Sequence, residues 1–252
     1  MRPAFFRDID RIIHALSYTR YIDKTQVYSY EENDHISKRM THVQLVSKIA
    51  RTIGRALRLN TDLIEAIALG HANEKKLNEI SLRQDKTYFA HNIHSVRDYM
   101  YIENNGNGLN LTVQVLDGIM CHNGEILSPI YKPQKKTKEE FLKQYKENFT
   151  DLKASSKNRP MTLEGCVVRI SDIIAYIGRD IEDTITLGIF ERENIPKEIT
   201  EVLGNNNKEI VNTIILDIVE ESLDKPYIKM SKKVFEALFK LKEFNTKNLY
   251  LK

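Results

Sequence analysis

Arg39-Met40-Thr41-His42, followed by Val43, Leu45, Val46, Ile49, Ala50, Ile53 and Leu57, sets a histidine at the head of a strongly amphipathic helix. A second histidine, His71, closes the next apolar run, Leu63-Ile64-Glu65-Ala66-Ile67-Ala68-Leu69-Gly70-His71. A carboxylate, Asp172, is embedded in a third, Val167-Val168-Arg169-Ile170-Ser171-Asp172-Ile173-Ile174-Ala175-Tyr176. Each is a metal-competent side chain in a segment that otherwise favours burial, and a buried charge is tolerated only when paired or metal-bound. Taken singly, either histidine reads as a satisfied core residue. Three helices delivering His, His and Asp are the footprint of a helical metal site.

Outward from these segments the chain reads as all-α. A helical arm is expected at Asp10 to Ala15. Asp62 and Glu65 have capping-box spacing before the His71 run, with Thr61 as the competing N-cap. Further helices are expected from Leu111 to His122, Lys138 to Asn148, Leu163 to Leu187, Glu209 to Glu221 and Lys232 to Phe244, and no alternating pattern is long enough for a sheet. In the Leu163 helix the core stripe is Leu163, Val167, Ile170, Ile174, Ile177 and Ile181. Asp172, Tyr176 and Asp180 follow one another at four-residue steps on a different face, where they form either a functional line or a solvated acidic face continuing through Asp183. Residues 131–160 carry Lys132, Lys135, Lys136, Lys138, Lys143, Lys146, Lys153 and Lys157 and read as a basic, exposed insertion in one domain covering 1–252. Its interleaved Tyr131, Phe141, Tyr145 and Phe149 make single-stranded nucleic acid a weak candidate partner, but the last three also fit the apolar face of one short helix.

Composition narrows the class. With 41% hydrophobic and 29% charged residues in 252, the chain can bury a sizeable core. A net charge of +3 does not by itself imply nucleic-acid binding. There is no run of 18 uncharged apolar residues and no secretory pattern, so no membrane association is expected. The two cysteines, Cys121 and Cys166, lack metal-binding spacing and suggest reduced thiols in a cytoplasmic protein.

Six blocks in order carry a resemblance: Arg2 through His14, Lys24-Thr25-Gln26-Val27, Arg39-Met40-Thr41-His42, Phe89-Ala90-His91-Asn92, Gly108-Leu109-Asn110-Leu111-Thr112, and Asp172 through Asp183. The chain resembles the deoxyguanosine triphosphate triphosphohydrolase-like proteins of the HD superfamily. The resemblance implies an HD-domain helical bundle with additional helices and metal-dependent hydrolysis of a deoxynucleoside triphosphate to deoxynucleoside and triphosphate. It implies a divalent ion (manganese, magnesium, iron, nickel or zinc) on His42, His71 and Asp172. It places Gln26, Arg39, Tyr176 and Asp180 around the nucleotide, and gives His91 and Glu74 to the chemistry. A homo-oligomer is expected, as are further C-terminal helices beyond Lys252.

The chain departs from the family at one place. Members read H-D-x-G-H-x-x-F-G-H-x-x-E where this sequence has His71-Ala72-Asn73-Glu74. His71 is either the first histidine of that motif, a metal ligand, or the last, a catalytic residue standing three before Glu74. The loop is either deleted from the protein or absent only from this sequence. A catalytically silent nucleotide-binding or regulatory protein is therefore the alternative to an enzyme.

Overall fold

The computed structural model describes residues 2–22, 38–71, 90–122, 126–151 and 153–250. Its elements in chain order are α1 (Ala4–Ile13), α2 (Leu16–Thr19), α3 (Arg39–Ala56), α4 (Thr61–Gly70), α5 (His91–Arg97) running into a π-helical turn, α6 (Val113–Cys121) and β1 (Ile130–Tyr131). They continue with α7 (Lys138–Glu147), α8 (Ala154–Lys157), α9 (Leu163–Thr186), a 3-10 turn, α10 (Lys197–Leu203), α11 (Asn207–Ser222), β2 (Ile228–Lys229) and α12 (Lys232–Asn245), closed by a second π-helical turn. Among the described residues the fold is all-α apart from one antiparallel ladder pairing Ile130 with Lys229 and Tyr131 with Ile228. The ladder is compatible with the all-α expectation, since two residues a side are too few to show an alternating pattern.

α9 is the central element. Val167, Ile170, Ile174, Ile177 and Ile181 of its stripe are all buried. It packs on α3, α4, α6, α11 and α12. α4 is enclosed by α1, α3, α6 and α9. Two glycines permit the closest approaches. A Cβ on Gly54 of α3 would lie 2.1 Å from Ile64 Cδ1 of α4, and one on Gly118 of α6 would meet three atoms of Ile67 at 2.4 to 2.9 Å. Four helices thus crowd around α4, and polar residues of α3, α4 and α9 are brought together at one end.

Local signals differ in part from the sequence expectations. The N-terminal helix starts at Ala4, well before Asp10, because buried Ile9 and Ile12 share a face. Its buried Asp8 accepts from Thr112 N at 2.9 Å, tying α1 to the start of α6. The N-cap of α4 is Asn60, neither Thr61 nor Asp62: Asn60 Oδ1 accepts from the amides of Asp62 and Leu63, both at 3.1 Å. The reciprocal capping box falls instead on Thr137 and Glu140 at the start of α7.

Lysine density overstates the exposure of residues 131–160. Tyr131, Phe141 and Tyr145 are buried, so their faces are not available as stacking platforms. The side chain of Lys136 is covered as well. Its Nζ lies 2.6 Å from Asp117 Oδ1 of α6 and donates to Arg159 O at 2.6 Å. Asp117 Oδ2 accepts from Met161 N at 2.6 Å, which locks α6 to the entry of α9. Among the described residues no helix is long and apolar enough to cross a membrane.

Candidate metal centre

His42 shares a face of α3 with Val46, Ile49 and Ile53, so the helix that buries those side chains also carries the imidazole into the interior. His71 is the residue at which α4 ends, with φ −76° and ψ −26°. Its Nδ1 donates to Ala68 O at 2.5 Å, satisfying one carbonyl that the helix end leaves without an internal partner. A carbonyl can only accept, so Nδ1 is the donor, which leaves Nε2 as the nitrogen turned toward His42. Asp172 projects from the middle of α9.

The three side chains converge. His42 Nε2 is 2.9 Å from Asp172 Oδ1, His71 Nε2 is 3.4 Å from His42 Nε2, and His71 Nε2 is 3.6 Å from Asp172 Oδ1. A triangle with these edges has a point about 2 Å from every corner, the bond length of a first-row transition ion to imidazole nitrogen or carboxylate oxygen. The donor set also fits in its chemistry. Burial lowers the pKa of His42, against the opposing pull of Asp172. Burial raises that of Asp172, but the hydrogen bonds and charges of His42 and His71 outweigh it and hold the carboxyl well below the ordinary carboxylate range. Near neutral pH His42 is therefore uncharged and Asp172 ionised, the forms in which both bind metal. Among the described residues this is the only group of three or more His, Cys, Asp or Glu side chains with metal-binding geometry.

The line of imidazoles continues past the trio. The His71 ring meets that of His122 edge-on, with centroids 5.1 Å apart, and His122 Nε2 lies 3.1 Å from His91 Nε2. His122 ends α6 as His71 ends α4, with Nδ1 donating to Ile119 O at 2.6 Å. Burial, reinforced by the neighbouring His71 and His91, holds His122 well below the ordinary imidazole range. The sequence reading singles out His91 and names His122 only as the end of an apolar helix. The missed signal was the shared pattern of an apolar helix closing on histidine, seen in Leu63–His71 and again in Val113–His122.

Arg39 stands one turn before His42, half-buried, and desolvation lowers its pKa. Tyr176 is partly buried and Asp180 buried along the line that Asp172 begins. Asp183 is buried too, beside Arg179 at 2.9 Å, so this line is not a solvated acidic face. Gln26 and Glu74 lie outside the described residues.

No family model matches the chain. Curated relatives named deoxyguanosinetriphosphate triphosphohydrolase-like protein match it along its length. The protein of that name from Caldanaerobacter subterraneus subsp. tengcongensis is 38% identical over 260 positions, covering 100% of this chain and 66% of the relative. That of Clostridium tetani is 37% identical over 99% of this chain and 67% of its own length. That of Clostridium perfringens strain SM101 is 38% identical over 100% and 68%. The chain thus spans about two thirds of the length of these relatives. Because the first alignment runs to 260 positions against 252 residues, the relative has at least eight residues with no counterpart in this chain.

Proposed function

We propose, since this chain belongs to the family of deoxyguanosinetriphosphate triphosphohydrolase-like proteins, that it is a metal-dependent hydrolase that cleaves deoxynucleoside triphosphates to deoxynucleoside and triphosphate. The observation that carries this reading is the convergence of His42 Nε2, His71 Nε2 and Asp172 Oδ1 from three helices onto one point. In it His42, His71 and Asp172 hold a divalent ion, and His71 takes the ligand identity because its Nε2 faces His42 rather than standing apart. The bound ion would acidify a water and offset charge developing on the α-phosphate.

The remaining roles follow from side-chain chemistry. Arg39, one turn from His42, offers a planar fork of donors to phosphate oxygens. Asp172 to Asp180 covers about 12 Å of helix, so Tyr176 and Asp180 can contact parts of a nucleotide remote from the reacting phosphorus. Gln26 suits the sugar hydroxyl, since its amide both donates and accepts. His91 and Glu74 handle protons. One HD-type domain over 1–252, with the lysine-rich stretch at about 131–160 as an insertion, a cytoplasmic setting and a homo-oligomer belong to the same proposal.

A second reading has an observation of its own. His71-Ala72-Asn73-Glu74 stands where the family motif carries an additional Asp and two further histidines, and the alignment leaves residues of the relative unmatched. A chain without them binds nucleotide and turns over slowly or not at all. One experiment addresses both. Purified protein of verified mass is incubated with manganese and dGTP, triphosphate release is assayed, and metal and nucleotide binding are measured by calorimetry. We expect Asp172→Ala to abolish metal uptake, while His14→Ala, at an exposed position, leaves it intact. We expect release slower by several orders of magnitude than in a relative with the full motif, since loss of one general acid costs about 10²- to 10⁴-fold. Nucleotide binding without release supports the silent reading, and unchanged metal uptake by Asp172→Ala overturns the site.

A further inference from the structure

We infer that Tyr99 and Tyr21 are positioning residues which fix the gap between His42 and His71, and with it the fit of a metal ion to that pair. The inference rests on the reading of the two histidines as metal ligands, and it follows from how the helices that carry them are finished.

α3 begins at Arg39, shortly before His42, and α4 ends at Gly70, immediately before His71. The first amides of one helix and the last carbonyls of the other have no partner inside their own helix. Gly70 is buried, so its carbonyl needs a partner from elsewhere in the fold. Both ends are served from one place. The Met40 amide of α3 donates to Tyr21 O at 3.2 Å. The Gly70 carbonyl of α4 accepts from Tyr99 Oη, also at 3.2 Å. The two phenol oxygens lie 3.5 Å apart. A carbonyl has no proton to give, so the Tyr99 proton is directed at Gly70, and Tyr21 is the donor between the two rings. The path Met40, Tyr21, Tyr99, Gly70 therefore joins a residue of the turn that carries His42 to the residue preceding His71.

Neither phenol is free to drift. Tyr99 is 0% and Tyr21 1% exposed. Tyr99 lies on the π-helical turn (Asp98–Ile102) that follows α5, and its carbonyl accepts from Leu109 N at 2.8 Å. Next after that turn, Glu103 accepts from Ser17 N at 2.8 Å and from Leu16 N at 3.2 Å, which fastens the segment bearing Tyr21 to the one bearing Tyr99. The Tyr21 ring meets that of Tyr18 with centroids 5.3 Å apart, and Tyr18 Oη accepts from Gln44 Nε2 of α3 at 3.1 Å. Phenylalanine would fill the same space, so it is the hydroxyl groups that make the connection. The bond to Gly70 is the shorter one, and Tyr99 accordingly governs the gap more than Tyr21 does. His42 Nε2 and His71 Nε2 stand 3.4 Å apart. Metal–ligand bonds hold their lengths to about 0.2 Å, so a small slip of α4 along α3 is felt at the ion.

The test has one readout with metal and one without. In manganese titrations followed by calorimetry, Tyr99→Phe should bind about 10- to 100-fold more weakly than the wild type, the loss usual when a group that holds a ligand in place is removed. Tyr21→Phe should lose less. Tyr131→Phe also removes a buried hydroxyl with a backbone partner, Ser128 N at 3.0 Å, and should bind as the wild type does. In metal-free protein the ring protons of His42 and His71 should show a nuclear Overhauser contact that weakens in Tyr99→Phe and persists in Tyr131→Phe.

An unchanged affinity or an unchanged Overhauser contact in folded Tyr99→Phe would each overturn the inference. An equal loss of affinity in Tyr131→Phe would overturn it too, because the loss of any buried hydroxyl would then suffice. If Tyr99→Phe does not fold, Tyr21→Phe decides by the same two readouts. A wild type that takes up no manganese, with the Overhauser contact weakening as expected, counts against the metal reading alone.

Discussion

Histidine and aspartate at the centre respond to acid in opposite senses. His122 and His42 bind a proton less readily in the folded protein than at the ordinary imidazole value of 6.5, chiefly because they are buried. Below that value the unfolded chain takes up protons that the folded one refuses, so stability is lost as pH falls through it. The loss is at most about 1.4 kcal/mol per pH unit for each ring. Asp172 is held below its ordinary 3.8, so the stability it contributes is complete above that value and disappears only at lower pH. Between pH 7.5 and 5.5 the slope therefore belongs to the histidines. Urea midpoints of the metal-free protein should fall across this window and fall less in His122→Gln. A flat profile would mean that these rings are already charged in the native state.

Among the elements, α6 depends on the missing side chain of Gly118. An added methyl would meet Ile67 at Cδ1, Cγ1 and Cγ2, all within 3 Å, and a β-branched residue on a helix has little rotamer freedom with which to retreat. Gly118→Ala should cost about 1–3 kcal/mol in chemical denaturation, despite alanine's better helix propensity; a stabilised variant would show that α4 and α6 can separate without penalty. The helices that position the site were legible in the sequence because each carries several apolar residues at three- and four-residue steps, and α9 has them over 24 residues. α10 was not legible, since its seven residues bury only Ile199 and Leu203. The composition of the 131–160 segment misled in one respect: lysine at position 136 reads as a solvated charge, and only the fold brings Asp117 to it. The same limit applies to the site. His42, His71 and Asp172 stand out as polar residues in apolar runs, whereas the pairing of His122 with His91 joins two helices and leaves no trace in the spacing of either.

For the molecule as a whole, the proposed metal site, drawn from three helices, would make global stability depend on free metal. An ion that binds only the folded chain adds about 2.7 kcal/mol at a free concentration one hundred times Kd. At this chain length each kcal/mol moves Tm by about 2–4 °C. Saturating manganese should raise the melting temperature by roughly 5–10 °C over protein in a chelator, and Asp172→Ala should melt alike in both. Equal curves for the wild type would argue that the centre holds no ion. The separation of His42 from Asp172, 130 residues, also imposes an order of events during synthesis. At ordinary elongation rates roughly 6 to 26 seconds pass between the two. Throughout that interval α3 and α4 exist beside the ribosome without the helix that covers their apolar faces and completes the ligand set. On the proposed ligand set, an ion could not be bound early, so the nascent chain would travel through this stage as an apoprotein, and that stage, rather than the finished fold, is where a chaperone would find the most to hold.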